Sequence, residues 1–170
     1  MTKLLLSVHV LAAILTVGPI AVAASIFPRY ARQAAFDEDP GGGAAGVARL
    51  LHRICRGYAV AGVAVPVFGV ATGAQFGVLT DAWLIVSLAL TVLAAGVLVL
   101  AILPGQQRLL TSAAAPVAGS PAMTKGSTGL VADERRALSA RLAARTGIFN
   151  LLWAIVVVLM IVRPGSTTGA

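Results

Sequence analysis

A single cysteine, Cys55, excludes an internal disulfide and any metal centre built from several thiolates. Read alone, it is a small hydrophobe on a helix. The acidic residues are Asp37, Glu38, Asp39, Asp81, Asp133 and Glu134, all outside the long apolar runs. Paired intramembrane carboxylates are thus missing, and with them the usual basis of a proton or ion pathway. No glycine-rich phosphate loop and no nucleophile motif is present. Aromatic residues make up only 5% of the chain, too few to stack bases, so the net charge of +7 does not point to nucleic acid. Lipid headgroups are the simpler partner.

What the chain has is apolar length. Residues 4–27, 57–79 and 82–103 each exceed the roughly 20 apolar residues that cross a bilayer core, and 147–162 nearly do. With 58% hydrophobic and 11% charged residues in 170, little remains for a soluble domain. The expected fold is all-α: one integral membrane four-helix bundle with spans at about 4–27, 57–79, 82–103 and 140–162. Abundant Ala, Gly, Val and Arg is the composition of a bacterial genome of high GC content, which suggests a bacterial inner membrane.

Charge sets the expected orientation. Arg29, Arg32, Arg49, Arg53 and Arg56 lie between the first two spans, and Arg108, Lys125, Arg135, Arg136, Arg141 and Arg145 lie between the last two. The connection from Gln75 to Asp81 has no basic residue, and the ends have only Lys3 and Arg163. The positive-inside rule then places both basic segments in the cytoplasm and both termini outside. The first stretch also has the outline of a signal peptide, with Lys3, an apolar run, Gly18 and Pro19, and small residues at Ala21 and Ala23. Secretion would put the Arg-rich segment outside, against the charge rule, and the run is longer than a signal core. A retained helix is the expectation.

Within the first cytoplasmic segment, an acidic patch at Asp37 to Asp39 is followed by the flexible run PGGGAAG. Val47, Leu50, Leu51 and Ile54 then recur at helical spacing, with Arg49, His52, Arg53 and Arg56 opposite. This predicts a short amphipathic helix whose Arg49, Arg53 and Arg56 meet anionic headgroups. In the second cytoplasmic segment, about 111–130 is rich in small residues, Pro and Gly and predicts a mobile linker. From about Asp133 a helical pattern resumes, with Leu138, Leu142 and Phe149 on one face, and runs into the fourth span. Arg141 and Arg145 are expected to snorkel to the headgroups.

Helices in lipid associate through close backbone approach and a few polar contacts. Gly69, Gly73 and Gly77 repeat every four residues down the second span, one turn after Pro66. The expected partner is the third span, where Ser87, Thr91 and Ala95 share that spacing. Gly147, Asn150 and Ala154 outline a similar face on the fourth span, with Asn150 a hydrogen-bonding candidate. Asp81 is read as the cap of the third span.

His9 is the ionisable side chain inside an apolar span, about two turns from the outer end. It is either a packing contact or a haem or copper ligand. Met160 lies at a similar depth on the fourth span, and His with Met suits both haem iron and copper(I). His52, on the cytoplasmic side, is too far away to share a ligand with His9.

The stretches LLLSVHVLAAILTVGPI, DAWLIVSLALTVLAAGVLVLAILPGQQRLL and LLWAIVVVLMIVRPG resemble a family of uncharacterised bacterial four-helix membrane proteins, distantly similar to the membrane domain of CopD copper-resistance proteins. That resemblance implies four helices and a membrane location, and no established activity. A fainter similarity links the first helix and FPRY to protoporphyrinogen oxidases of the HemJ type. In those, a first-helix histidine precedes a Pro-Arg element; here Gly18 and Pro28 are further apart and no second histidine directly follows Arg29. The functional expectation is a non-enzymatic accessory or interaction component, with a membrane protein partner or a second copy of the chain. The alternative is a protein that binds haem b or copper through His9 and Met160.

Overall fold

The computed structural model describes residues 2–34, 43–114 and 125–165, and every regular element among them is helical. The helices are α1 (Thr2–Gln33), α2 (Gly43–Ala61), α3 (Ala64–Phe76), α4 (Ala82–Gly96), α5 (Leu103–Ala114) and α6 (Lys125–Val162), with a π-helical segment, Val97–Ile102, joining α4 to α5. Four rods are long and apolar enough to cross a membrane: Lys3–Gln33, Gly43–Phe76, Ala82–Ser112 and Asp133–Val162. At 1.5 Å per residue each rises about 45–50 Å, well beyond a hydrocarbon core of roughly 30 Å. The basic flanks Arg29, Arg32, Arg141 and Arg145 are therefore carried on continuous helix rather than on loops.

Prolines shape three of the rods differently. α1 runs through Pro19 and Pro28 without interruption. The second rod breaks at Gly62 and Val63, because the ring of Pro66 would collide with the carbonyl four residues back, that of Gly62. There the chain tightens instead, with the Val65 N–H donating to Gly62 at 3.1 Å and the Val63 N–H to Val60 at 3.2 Å. Before Pro104 the helix widens: the Leu103 N–H reaches five residues back to the carbonyl of Leu98. The looser turn makes room for the Pro104 ring above the Leu100 carbonyl.

The first span is the hub. α1 packs against α2, α3 and α6, while α4 packs chiefly on α6, and α3 and α4 barely touch. Around the bundle the order is thus second, first, fourth and third span. Ile20, Ala23, Ala24 and Phe27 of α1 meet Leu142 and Phe149 of α6, Leu98 and Ile102 of the π-helical segment, and Ala48 and Cys55 of α2 in one buried cluster. The helix with the outline of a signal peptide is therefore the element on which the others assemble.

Several sequence expectations change here. The glycine-based hairpin between the second and third spans gives way to the thin α3–α4 contact. Ser87 and Thr91 are buried, but Ala95 is exposed, and both hydroxyls donate to carbonyls one turn back on their own helix. The expected apolar face of α2 turns inward in part: Leu51 and Ile54 pack against the core beside the buried Ala48 and Cys55, while Leu50 is 56% exposed. Arg49, Arg53 and Arg56 do lie outward. Helix also covers both ends of the expected linker, since α5 continues to Ala114 and α6 begins at Lys125; the remainder of it, and the acidic patch Asp37 to Asp39, lie outside the described residues. The fourth-span reading agrees in part, with α6 unbroken and Leu142 and Phe149 buried.

Candidate functional site

Two polar clusters join helices inside the bundle, and each contains one of the two histidines. In the first, the Nδ1–H of His9 on α1 donates to the carbonyl of Val65 on α3 at 3.0 Å. A carbonyl can only accept, so this bond places a proton on Nδ1, and in the neutral ring the lone pair is then on Nε2. The ring lies against Gly69, where an added Cβ would stand 3.0 Å from Cε1 and 3.8 Å from Nε2. Gly69 is therefore a seat for the imidazole on the first span. It is not a contact with the third.

The other glycines of that stripe divide the work. A Cβ on Gly73 would stand 2.8 Å from Cδ2 of Leu84 on α4 and 3.3 Å from Leu79, so this position does face the third span. Gly77 ends α3 with φ +70° and has open space around it. It supplies a left-handed turn rather than a packing surface.

The second cluster lies near the basic end. Gln106 on α5 is 0% exposed, and its Nε2–H donates to Cys55 Sγ at 3.5 Å. Its Oε1 accepts from the Nδ1–H of His52 at 3.0 Å. His52, Cys55 and Gln106 thus pin α2 to α5, and His52 leaves the outward face assigned to it from its arginine neighbours. Gln106 went unnoticed in the sequence because it sits in a basic, loop-like run. Its register held the signal: it follows Ile102 by four and precedes Leu109 by three, both buried apolar positions.

Asn150 does bridge helices, its Nδ2–H donating to Ser25 Oγ on α1 at 3.2 Å. Its proposed companions do not, as Gly147 and Ala154 are exposed. The Nη1 of Arg145 donates to the Ala101 carbonyl in the π-helical segment at 3.4 Å, and both Arg145 and Arg141 are exposed. At the opposite end Asp81 occupies the cap position of α4 without capping it by its side chain. Its Oδ2 instead accepts the indole N–H of Trp83 at 3.0 Å. The guanidinium of Arg163 lies 5.9 Å from the Phe76 ring centroid and 5.7 Å from that of Trp83, gathering the ends of α3, α4 and α6. Arg163 takes φ 44°, a left-handed conformation rare outside glycine.

Met160 is partly buried, and its carbonyl accepts the Nε–H of Arg163 at 3.4 Å. Among the described residues no three of His, Cys, Asp and Glu gather as a metal site. No protein-family model, curated protein or solved structure matches the chain. What fold and site define together is a helical protein with four rods able to cross a membrane.

Proposed function

We propose that the chain is a non-enzymatic accessory or interaction component of a bacterial inner membrane, with both termini outside and the basic face of α2 against anionic headgroups. The resemblance to the distantly CopD-like four-helix family supports only the four helices and the membrane location in this reading. The observation that carries the reading is the use made of His9. The ionisable side chain within the first span is spent on joining α1 to α3 through Val65. His52 is likewise spent on Gln106. A bundle whose polar interior serves helix contacts, and whose outer faces carry exposed Val, Leu and Ile, suits association with a membrane partner or with a second copy.

The same hydrogen bond also favours a second reading. A histidine that donates one ring N–H to a carbonyl presents its other nitrogen as a ligand of fixed tautomer, the usual support of metal-bound imidazole. His9 Nε2 would then hold haem iron or copper, with Met160 as the thioether candidate. Such a group would supply redox chemistry, while the chain's own part is to fix the His9 ring between Val65 and Gly69.

Absorption spectra and metal content of mildly purified protein separate the readings. The accessory reading expects no Soret band and no stoichiometric copper in wild type. A Soret band or one equivalent of copper, lost in His9→Ala and weakened in Met160→Leu, would instead establish the second. Orientation is tested with cysteines placed at Thr2, Ser120 and Ser166 in a Cys55→Ser background and an impermeant thiol reagent on intact cells. Labelling at Thr2 and Ser166 but not Ser120 is expected; the reverse pattern would invert the topology.

A further inference from the structure

We infer that the groove on the outward face of α2 is a binding site for one anionic phospholipid, with its phosphate on Arg53 and an acyl chain laid over Gly57 and Ala61. The groove measures ≈ 400 Å³ and is lined by Arg53, Ile54, Gly57, Tyr58 and Ala61. It is open and almost wholly apolar, with Arg53 as its one charged residue. Arg53 stands at the basic end, and from there to Ala61 the helix advances about 12 Å toward the apolar span. A phospholipid is ordered in the same direction, phosphate at the surface and chain inward.

Gly57 forms the floor of the groove. Glycine weakens a helix interior; at Gly69 and Gly73 it is explained by what a Cβ would strike, whereas Gly57, like Gly18, Gly46, Gly96 and Gly147, has open space there. At Gly57 a Cβ would meet nothing within 4 Å. Protein packing therefore does not call for glycine here. Its missing side chain keeps the floor of the groove open between Ile54 and Tyr58, the latter 38% exposed.

Charge selects the occupant. A guanidinium presents a fork of donors matched to phosphate oxygens, and the exposed Arg56 adds to the local positive field. Free phosphate would have no use for an apolar floor, and a second copy of the chain would bring a like-charged α2 against this one. The inference rests on the reading of α2's basic face as a headgroup contact, and goes beyond it in assigning a defined chain groove.

Native mass spectrometry of the full chain in detergent, with phosphatidylglycerol, phosphatidylcholine or inorganic phosphate added, tests both levels. Wild type is expected to retain one phosphatidylglycerol in preference to phosphatidylcholine, and inorganic phosphate is expected not to displace it. Arg53→Gln should reduce that preference about fivefold, equivalent to about 1 kcal/mol for one basic group near a surface. Gly57→Leu should lose the adduct while melting no lower than wild type, because its side chain enters open space; Ala61→Leu should act likewise from the far end of the groove. If both leucine variants retain the lipid as wild type does, the groove assignment falls, and a surviving effect of Arg53→Gln would leave only the headgroup contact. No effect in any variant would remove both. Displacement by inorganic phosphate, or a dimer that Gly57→Leu dissociates, would reassign the groove to a free anion or to a second copy and overturn the proposal.

Discussion

The imidazole of His9 lies close enough to the backbone of Gly69 that a single added methyl would stand 3.0 Å from its Cε1. The two positions are therefore coupled. Gly69→Ala should destabilise the wild type by about 1 kcal/mol, through pressure on the ring and on its bond to Val65. In a His9→Ala background the same change should be nearly neutral. Thermal unfolding of the four proteins in one detergent gives the coupling energy, expected at about 0.5–1.5 kcal/mol; strict additivity would mean that the ring does not rest there.

Gly73 and Gly77 should respond in opposite ways to size and shape. Gly73 faces the flexible tip of Leu84, so Gly73→Ala should be mild and Gly73→Leu severe, at about 2 kcal/mol or more. Gly77 has open space but φ +70°, so even Gly77→Ala should cost about 1–2 kcal/mol, and Gly77→Asn less. Melting temperatures of the four variants provide the comparison.

Gln106 should be the most sensitive polar residue at the basic end. Gln106→Ala leaves a cavity and strips an acceptor from His52 and a donor from Cys55, an expected loss of about 2–4 kcal/mol. Gln106→Met, which preserves volume, should recover part of it. Reaction of Cys55 with a small thiol reagent checks the geometry independently, since opening the α2–α5 contact should expose the buried sulfur and speed labelling.

Arg163 combines a favourable contact with an unfavourable backbone. Arg163→Ala removes the guanidinium from Phe76 and Trp83 while keeping the left-handed φ, and should cost about 0.5–1 kcal/mol. Arg163→Gly loses the same contact but relaxes the backbone, and should therefore be more stable than the alanine variant. Tryptophan fluorescence in a Trp153→Phe background would report the change around Trp83.

The four spans were legible because length and apolarity alone decide them. The α6 face was legible in part, through Leu138, Leu142 and Phe149, because those residues meet the core of the bundle. α2 was legible in part. Leu51 and Ile54 pack on the core as the apolar face implies, but Leu50 is exposed, and the small Ala48 and the hydrogen-bonding His52 turn inward, which apolar spacing alone does not show. The glycine spacing announced close approaches and named the third span as partner, which holds at Gly73 but not at Gly69, whose partner is the first span. Gln106 was hidden by its neighbours, since a polar residue beside Gln107 and Arg108 reads as loop until the register of Ile102 and Leu109 is followed through it.

The π-helical segment also divides the third rod into two angular phases. α4 is keyed to α6, and α5 to α2, and the widened turn at Val97–Ile102 supplies the angle between them. Each residue of an α-helix contributes about 100° of rotation. The wide turn takes up one such step, so removing one residue from it would leave Gln106 facing His52 and Cys55 and instead close the room made for the Pro104 ring. The segment acts as the slack that keeps the membrane half of the bundle in register with its basic end.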